Sequence, residues 1–333
     1  MFLFLLSLFL SAGLVAYGAG YPAPEDPNYG KTLSRKSNAL ALAAVASLPL
    51  WVVAYDLLHG VFMVLSGADW VFYGFEALDS LNLFYLGIAV GVLTLFYVGM
   101  RYNLRVREAL HEEATKKGGR QLKTGDALYD MVRLLTEVEG ISPPEVYVYP
   151  MDVPNIMVTV QGWQSTPIIL IDQTLTETMT RQELAAVLLH ELGHVKNRDI
   201  SRAVLFHVLG GIATAATLIF ALINTPVTSG WAPLMLSFIL TWGAARMAIF
   251  LLSTASSRRN EFHADYFSAR RMDPQLLVAG LFIVEEAQRA YYRKLGHDPD
   301  MPVQGWVKYL ASHPPSTARY DAMRRLRAVY HKK

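Results

Sequence analysis

The chain has 333 residues, of which 53% are hydrophobic and 17% charged, with a formal net charge of +2 and no cysteine. Soluble domains carry about 25% charged residues, so part of this chain is built for lipid, and so small a net charge gives no case for nucleic-acid binding. The absence of cysteine excludes disulfides, thiolate ligands and a cysteine nucleophile together, so any metal must be held by His, Asp or Glu.

Long apolar runs come first. Phe2 to Tyr21 and Leu81 to Met100 carry no charge, whereas Ala39 to Leu65 is broken by Asp56 and His59. Val204 to Ile223 is a fourth run, and Trp231 to Leu252, with one Arg246, a fifth. A helix needs about 20 mostly apolar residues to cross the hydrocarbon core. The expectation is an N-terminal membrane region over 1–100 with about three transmembrane helices, and a hydrophobic helical hairpin over 204–252. A cleaved signal peptide is the alternative for the first run, given Gly18, Ala19 and Gly20; the lack of a preceding Lys or Arg speaks against it.

Charge bias orients the spans. Lys31, Arg35 and Lys36 follow the first run, seven basic residues fall between Arg101 and Lys123, and Arg258 and Arg259 follow the fifth run. Residues 67–80 hold Asp69, Glu76 and Asp79 and no basic residue. If all five runs cross, every basic cluster lies on one side, which the positive-inside rule makes cytoplasmic. Residues 101–203 and 253–333 are then two cytoplasmic parts of a multi-pass plasma-membrane protein.

The stretch after the third run reads as water-soluble. Gly125 to Glu139 is an amphipathic helix with Leu128, Met131, Val132 and Leu135 on one face, stopped by Gly140. Val146 to Tyr149, Ile156 to Val160 and Pro167 to Ile171 read as short strands, with Gly162 at the turn between the last two. Thr180 and Glu183 form a capping-box pattern that opens the next helix.

That helix carries His190-Glu-Leu-Gly-His194. Positions i and i+4 share a helix face, so His190 and His194 can point both imidazoles at one ion. Zinc lowers the pKa of a bound water towards ~7, and Glu191, beside the first ligand, is placed to take its proton. The alternative is a pair of ordinary helix histidines. No third histidine follows at close spacing. Glu261 and Asp265, again i and i+4, are the next candidates: Glu261 to complete a two-His, one-Glu shell, Asp265 to accept the other N–H of a ligand histidine. Their alternative is a solvated ion pair with Arg258 or Arg259.

With these residues and Ser312-His-Pro-Pro-Ser-Thr-Ala-Arg319, the chain resembles the M48 family of membrane zinc metallopeptidases, and the HtpX-type quality-control proteases within it more than the CAAX prenyl proteases. The resemblance covers roughly 80–330. It implies an α+β, mostly helical integral membrane protein with a gluzincin-like catalytic domain, a small β-sheet and multiple transmembrane helices. It implies one zinc ion per chain on His190, His194 and Glu261, with Glu191 as the catalytic base. His313 would stabilise the oxyanion and Arg319 would support it or the substrate. Asn155, Ile156, Met157 and Val158 would begin a substrate-binding edge strand, although the family's Asn-Ala-Phe is Asn-Ile-Met here. The implied partners are polypeptides, above all misfolded or damaged membrane proteins, and the lipid bilayer. Two other functions stand beside it: a CAAX-type prenyl-protein protease, and a non-catalytic membrane scaffold or transporter using Asp56, His59 and Arg246.

Overall fold

The computed structural model describes residues 2–65, 108–161, 166–223, 231–298 and 313–330. In chain order these form α1 (Phe2–Ala19), α2 (Tyr29–Leu65), α3 (described over 108–116), β1 (Arg120–Gln121), α4 (Ala127–Val138), β2 (Glu145–Tyr149), β3 (Ile156–Gln161) and β4 (Thr166–Asp172). Then come α5 (Gln173–Thr178), α6 (Arg181–Lys196), α7 (Asp199–Ile223), α8 (Trp231–Ala269), α9 (Pro274–Lys294) and α10 (Ser316–Tyr330). The apolar run 81–100 and the turn at Gly162 lie outside the described residues.

The described residues divide into two compact units. One is helical and gathers α1, α2 from Lys36 onward, α7 from Arg202 onward and α8 up to Ser256. Its core mixes small and large apolar side chains, Ala41, Ala44, Phe206, Leu209, Ala245 and Ile249, and small residues let helices approach closely. Polar ties cross the same unit. Ser37 and Ser256 share a hydrogen bond, and Arg202 Nη1 donates to Asn38 Oδ1 at 2.7 Å. Its outer surface is apolar, with Phe9 72% and Leu42 57% exposed. Among the described residues, Phe238–Ala269 is long and apolar enough to cross a membrane; Ser7–Ala19 is apolar but shorter.

The second unit is α+β. Its four-stranded mixed sheet has the order β1-β2-β4-β3. β2 and β4 are parallel; β1 pairs antiparallel with β2, and β3 with β4. Side chains alternate across the sheet, and both faces are covered. Tyr147, Tyr149, Ile168 and Leu170 pack with Ala114 of α3, while Val146, Ile156, Ile169 and Ile171 join the main core with α6, Leu277 of α9 and Leu326 of α10.

Helix α6 is central to that core and is buried from Leu184 through His190. The predicted capping box is present: Glu183 N–H donates to the Thr180 hydroxyl oxygen at 3.3 Å, and Thr180 N–H donates to Glu183 Oε2 at 2.8 Å. The helix comes very close to α8. A Cβ on Gly193 would sit 3.0 Å from Ala264 Cα and 3.1 Å from Phe267 Cβ.

Two differences from the sequence reading matter for the site. The fifth apolar run does not stop at Leu252; α8 continues unbroken through Glu261 and Asp265 to Ala269, because no Gly or Pro interrupts residues 244–269. The basic residues after the first run, Lys31, Arg35 and Lys36, are helical: α2 begins at Tyr29, ten residues before the apolar run.

Thr180→Ala removes the cap from the helix that carries both histidines. Denaturant unfolding should show a loss of about 1 kcal/mol.

Candidate metal centre

His190 and His194 leave α6 on one face, as their spacing demands. Their rings meet edge to face, with centroids 4.8 Å apart and the two Nε2 atoms 3.2 Å apart. Each ring is held from behind by a carboxylate. His190 Nδ1 lies 3.0 Å from Asp265 Oδ1, and His194 Nδ1 lies 2.7 Å from Asp199 Oδ2. A ring whose Nδ1–H donates to a carboxylate carries a lone pair on Nε2. Two such lone pairs facing each other at 3.2 Å repel unless a cation or a proton lies with them.

Glu261 comes in from α8. Its Oε2 is 3.6 Å from His190 Nε2 and its Oε1 is 3.8 Å from His194 Nε2. Donor atoms of His190, His194 and Glu261 all fall within 4.8 Å of one another. Glu261 is 5% exposed and Asp265 fully buried, so neither is the solvated surface carboxylate that the sequence left as the alternative. Arg319 from α10 grips both. Its Nη2 and Nε donate to Asp265 Oδ1 and Oδ2 at 2.6 and 2.9 Å, and its Nη1 lies 3.3 Å from Glu261 Oε2. His313, 68% exposed at its side chain, brings Nδ1 to 3.0 Å from Glu261 Oε1.

The charge balance is uneven. Glu191, Asp199, Glu261 and Asp265 surround the two imidazoles, against the single guanidinium of Arg319. Excess buried negative charge with two convergent imidazole lone pairs is the donor set that a divalent cation of zinc type fits. Protons respond to the same field. Burial pushes the His190 imidazole down, but hydrogen bonds to Asp265 and Glu261 outweigh it and leave it raised to about 9. Burial likewise lowers His194, and the hydrogen bond to Asp199 together with the charge of Glu261 more than restores it. Burial raises the Glu191 carboxyl above the usual range.

The sequence did not single out Asp199. It stands five residues after His194, beyond the helix end, where no helical spacing points to it. The turn that brings it back runs through Arg198 at φ 57°, the one positive-φ non-glycine among the described residues. Strained backbone of this kind persists where surrounding structure fixes it, often at functional sites. Asn197 Nδ2 then donates to Asp199 Oδ1 at 2.6 Å, leaving Oδ2 for the histidine.

The edge strand β3 lies over α6. Asp172 N–H donates to Asn155 O at 2.9 Å, which makes that pair a hydrogen-bonded rung and turns Ile156, Val158 and Val160 away from β4. Pro167, which has no N–H, sits opposite Val160, as this register requires. The outward Val158 N–H faces the Glu191 carboxyl and partly offsets the effect of burial on it. The outward Ile156 N–H donates to Asn155 Oδ1 at 2.9 Å, so the Asn155 carboxamide oxygen turns back onto the strand. Met157 points to the opposite face and is 39% exposed.

Residues 128–327 match peptidase family M48. A protease HtpX homolog of Pyrococcus abyssi is 28% identical over 217 residues, spanning 60% of this chain and 73% of its own. Protease HtpX of Pseudomonas fluorescens is 25% identical over 279 residues, spanning 76% and 90%. The fold is similar to the crystal structure of S. mikatae Ste24p, with a TM-score of 0.55 at 17% identity, over 87% of this chain and 76% of that one.

Asp199→Ala releases the His194 ring, and zinc affinity should fall about 10–100-fold, as for other partners of metal-bound histidines; a chelator-competition titration measures it. A metal must also displace the proton that His190 holds below about pH 9. Zinc affinity should therefore strengthen between pH 7 and 9, by up to about tenfold per unit for one proton, and then level off; titrations across that range test the sign.

Proposed function

The chain belongs to peptidase family M48, and on that footing we propose that it is a membrane-anchored, zinc-dependent endopeptidase of the HtpX kind that cleaves misfolded or damaged membrane proteins. The observation that carries the reading is the pair of carboxylate-backed imidazoles facing Glu261 in a buried site of negative excess. In this reading His190, His194 and Glu261 hold one zinc ion. Bound there, the metal supplies Lewis acidity, which polarises a peptide carbonyl and acidifies a water molecule.

The chain's own residues do the rest. Glu191 takes a proton from the attacking water and later gives it to the leaving amide nitrogen. Its upward-shifted carboxyl suits both transfers. His313 offers an imidazole N–H where charge gathers on the carbonyl oxygen. Arg319 acts from behind: it fixes Asp265, which orients His190, and it offsets the charge of Glu261. An extended polypeptide pairs with β3 through its outward backbone groups, the carbonyls of Ile156, Val158 and Val160 among them, and Asn155 lies at the end of that strand near the bond to be cut. The apolar helices α1, α2, α7 and α8 support anchorage in a bilayer, and the basic residues beside the apolar runs support a cytoplasmic orientation of the catalytic residues.

The test is Glu191→Gln in the purified full chain. Zinc content should stay at one ion, while cleavage of casein-like or membrane-protein substrates falls by at least about 100-fold. Retained cleavage in a clean preparation removes Glu191 as the base. Cleavage of a farnesylated peptide, with indifference to unmodified polypeptides, would replace this reading with a prenyl-protein protease.

A further inference from the structure

The segment 21–35 joins the first hydrophobic helix to the second, yet it folds into the catalytic unit. There it lies along α8 beside the two carboxylates. The Tyr21 ring stands edge-on to Phe262, with centroids 5.5 Å apart, and the Arg259 guanidinium lies 4.7 Å over it. The Tyr29 ring stands edge-on to Tyr266 at 5.5 Å. Gly30 is closest of all: a Cβ there would fall 2.5 Å from Tyr266 Cε1 and 3.6 Å from His263 Cδ2. Tyr29 and Leu33, 3% and 0% exposed, anchor the segment in the main core.

The residues touched on α8 are 259, 262, 263 and 266. That spacing of i, i+3, i+4 and i+7 is one helix face. Glu261 lies near the opposite face and Asp265 to one side of the contacted face, both turned towards the histidines. From the side of α6, Gly193 leaves no gap against Ala264, and the Ser268 hydroxyl donates to Ala186 O at 2.8 Å. This stretch of α8 is therefore held from two sides. A shift of about 1 Å in its position is enough to degrade a metal or catalytic constellation.

We propose that the segment 21–35 is a positioning brace, in which Tyr21, Tyr29 and Gly30 press the back of α8 and set the reach of Glu261 and Asp265 to the histidines. The inference rests on the metal reading above. It makes the link between the first two hydrophobic helices part of the metal site, although none of its residues touches the metal donors. The fit at Gly30 is steric. Gly30 lies in the first turn of α2 with ordinary helical backbone, so a side chain is refused by the Tyr266 ring and not by the main chain.

The test is the zinc dissociation constant of the full chain, with the metal-free melting temperature recorded alongside. Gly30→Val should weaken zinc about tenfold, the scale of outer-shell changes. Adding Tyr266→Leu, which removes the ring atoms in the way, should restore most of that loss. Unchanged zinc affinity in Gly30→Val, or no recovery in the double variant, overturns the brace. If Gly30→Val does not fold, Tyr21→Ser takes its place, since Tyr21 is 49% exposed and its loss spares the core. Zinc weakened severalfold at an unchanged metal-free melting temperature then supports the brace, and unaltered zinc affinity overturns it. Wild type and Glu261→Ala separate the two readings. Zinc held by wild type and lost in Glu261→Ala, but normal in the Gly30 or Tyr21 variant, leaves the metal site standing and removes only the brace.

Discussion

Two imidazole nitrogens 3.2 Å apart, each turned to face the other by a carboxylate behind its ring, set the requirement that the rest of the catalytic unit satisfies. Neither ring is free to rotate away, and His190 is buried and His194 largely so, which keeps most of the solvating water from them. Glu261 adds a further negative group to the same space, and Arg319 offsets only part of the total. Such a cluster is costly to assemble in a protein interior unless a cation completes it. The packing around it is correspondingly tight. The capped helix α6, the contact at Gly193 and the bidentate Arg319–Asp265 pair all hold charged groups close together against their tendency to separate.

The same constraint explains how distant chain segments are used. The histidines come from α6, Glu261 and Asp265 from α8, Arg319 from α10, and Asp199 from the first residue of α7. α8 is the least expected contributor, because it starts as an apolar helix and ends as the bearer of two buried carboxylates. Its apolar exterior over residues 235–251 and its buried polar stretch from Arg259 to Ser268 belong to one helix. One compact unit gives way to the other at Ser256, within that helix, so the change in composition marks a change of unit and not the end of an element.

How much was legible varies by residue for physical reasons. His190, Glu191 and His194 were readable because their chemistry is compressed into one helical turn, where spacing alone fixes geometry. Strand β3 was readable from its β-branched residues, and its place at the sheet edge only from the family resemblance. Glu261 and Asp265 were recognisable as a pair on one helix face, but nothing local distinguished a buried pair from a solvated one. Asp199 was not legible at all: it reaches His194 only through a left-handed residue at Arg198, a conformation that few side chains adopt and that sequence spacing does not forecast. The stretch after the first apolar run showed only its basic residues, and Tyr21 and Tyr29 gained meaning only when they met Phe262 and Tyr266.

The sequence by itself determined the chemistry on offer: two histidines and a glutamate on one helical turn, carboxylates in place of thiolates, and apolar runs of membrane length. These are consequences of residue type and of the 3.6-residue period, both of which act locally. Tertiary structure alone decided which of 28 acidic residues gather around the two histidines. It also decided which backbone N–H meets Glu191 and what stands behind Glu261. Those outcomes depend on burial and on contacts between segments more than 100 residues apart, such as Arg319 with His190. A charge acquires its function there from what surrounds it in space, and the order of residues along the chain does not specify those surroundings.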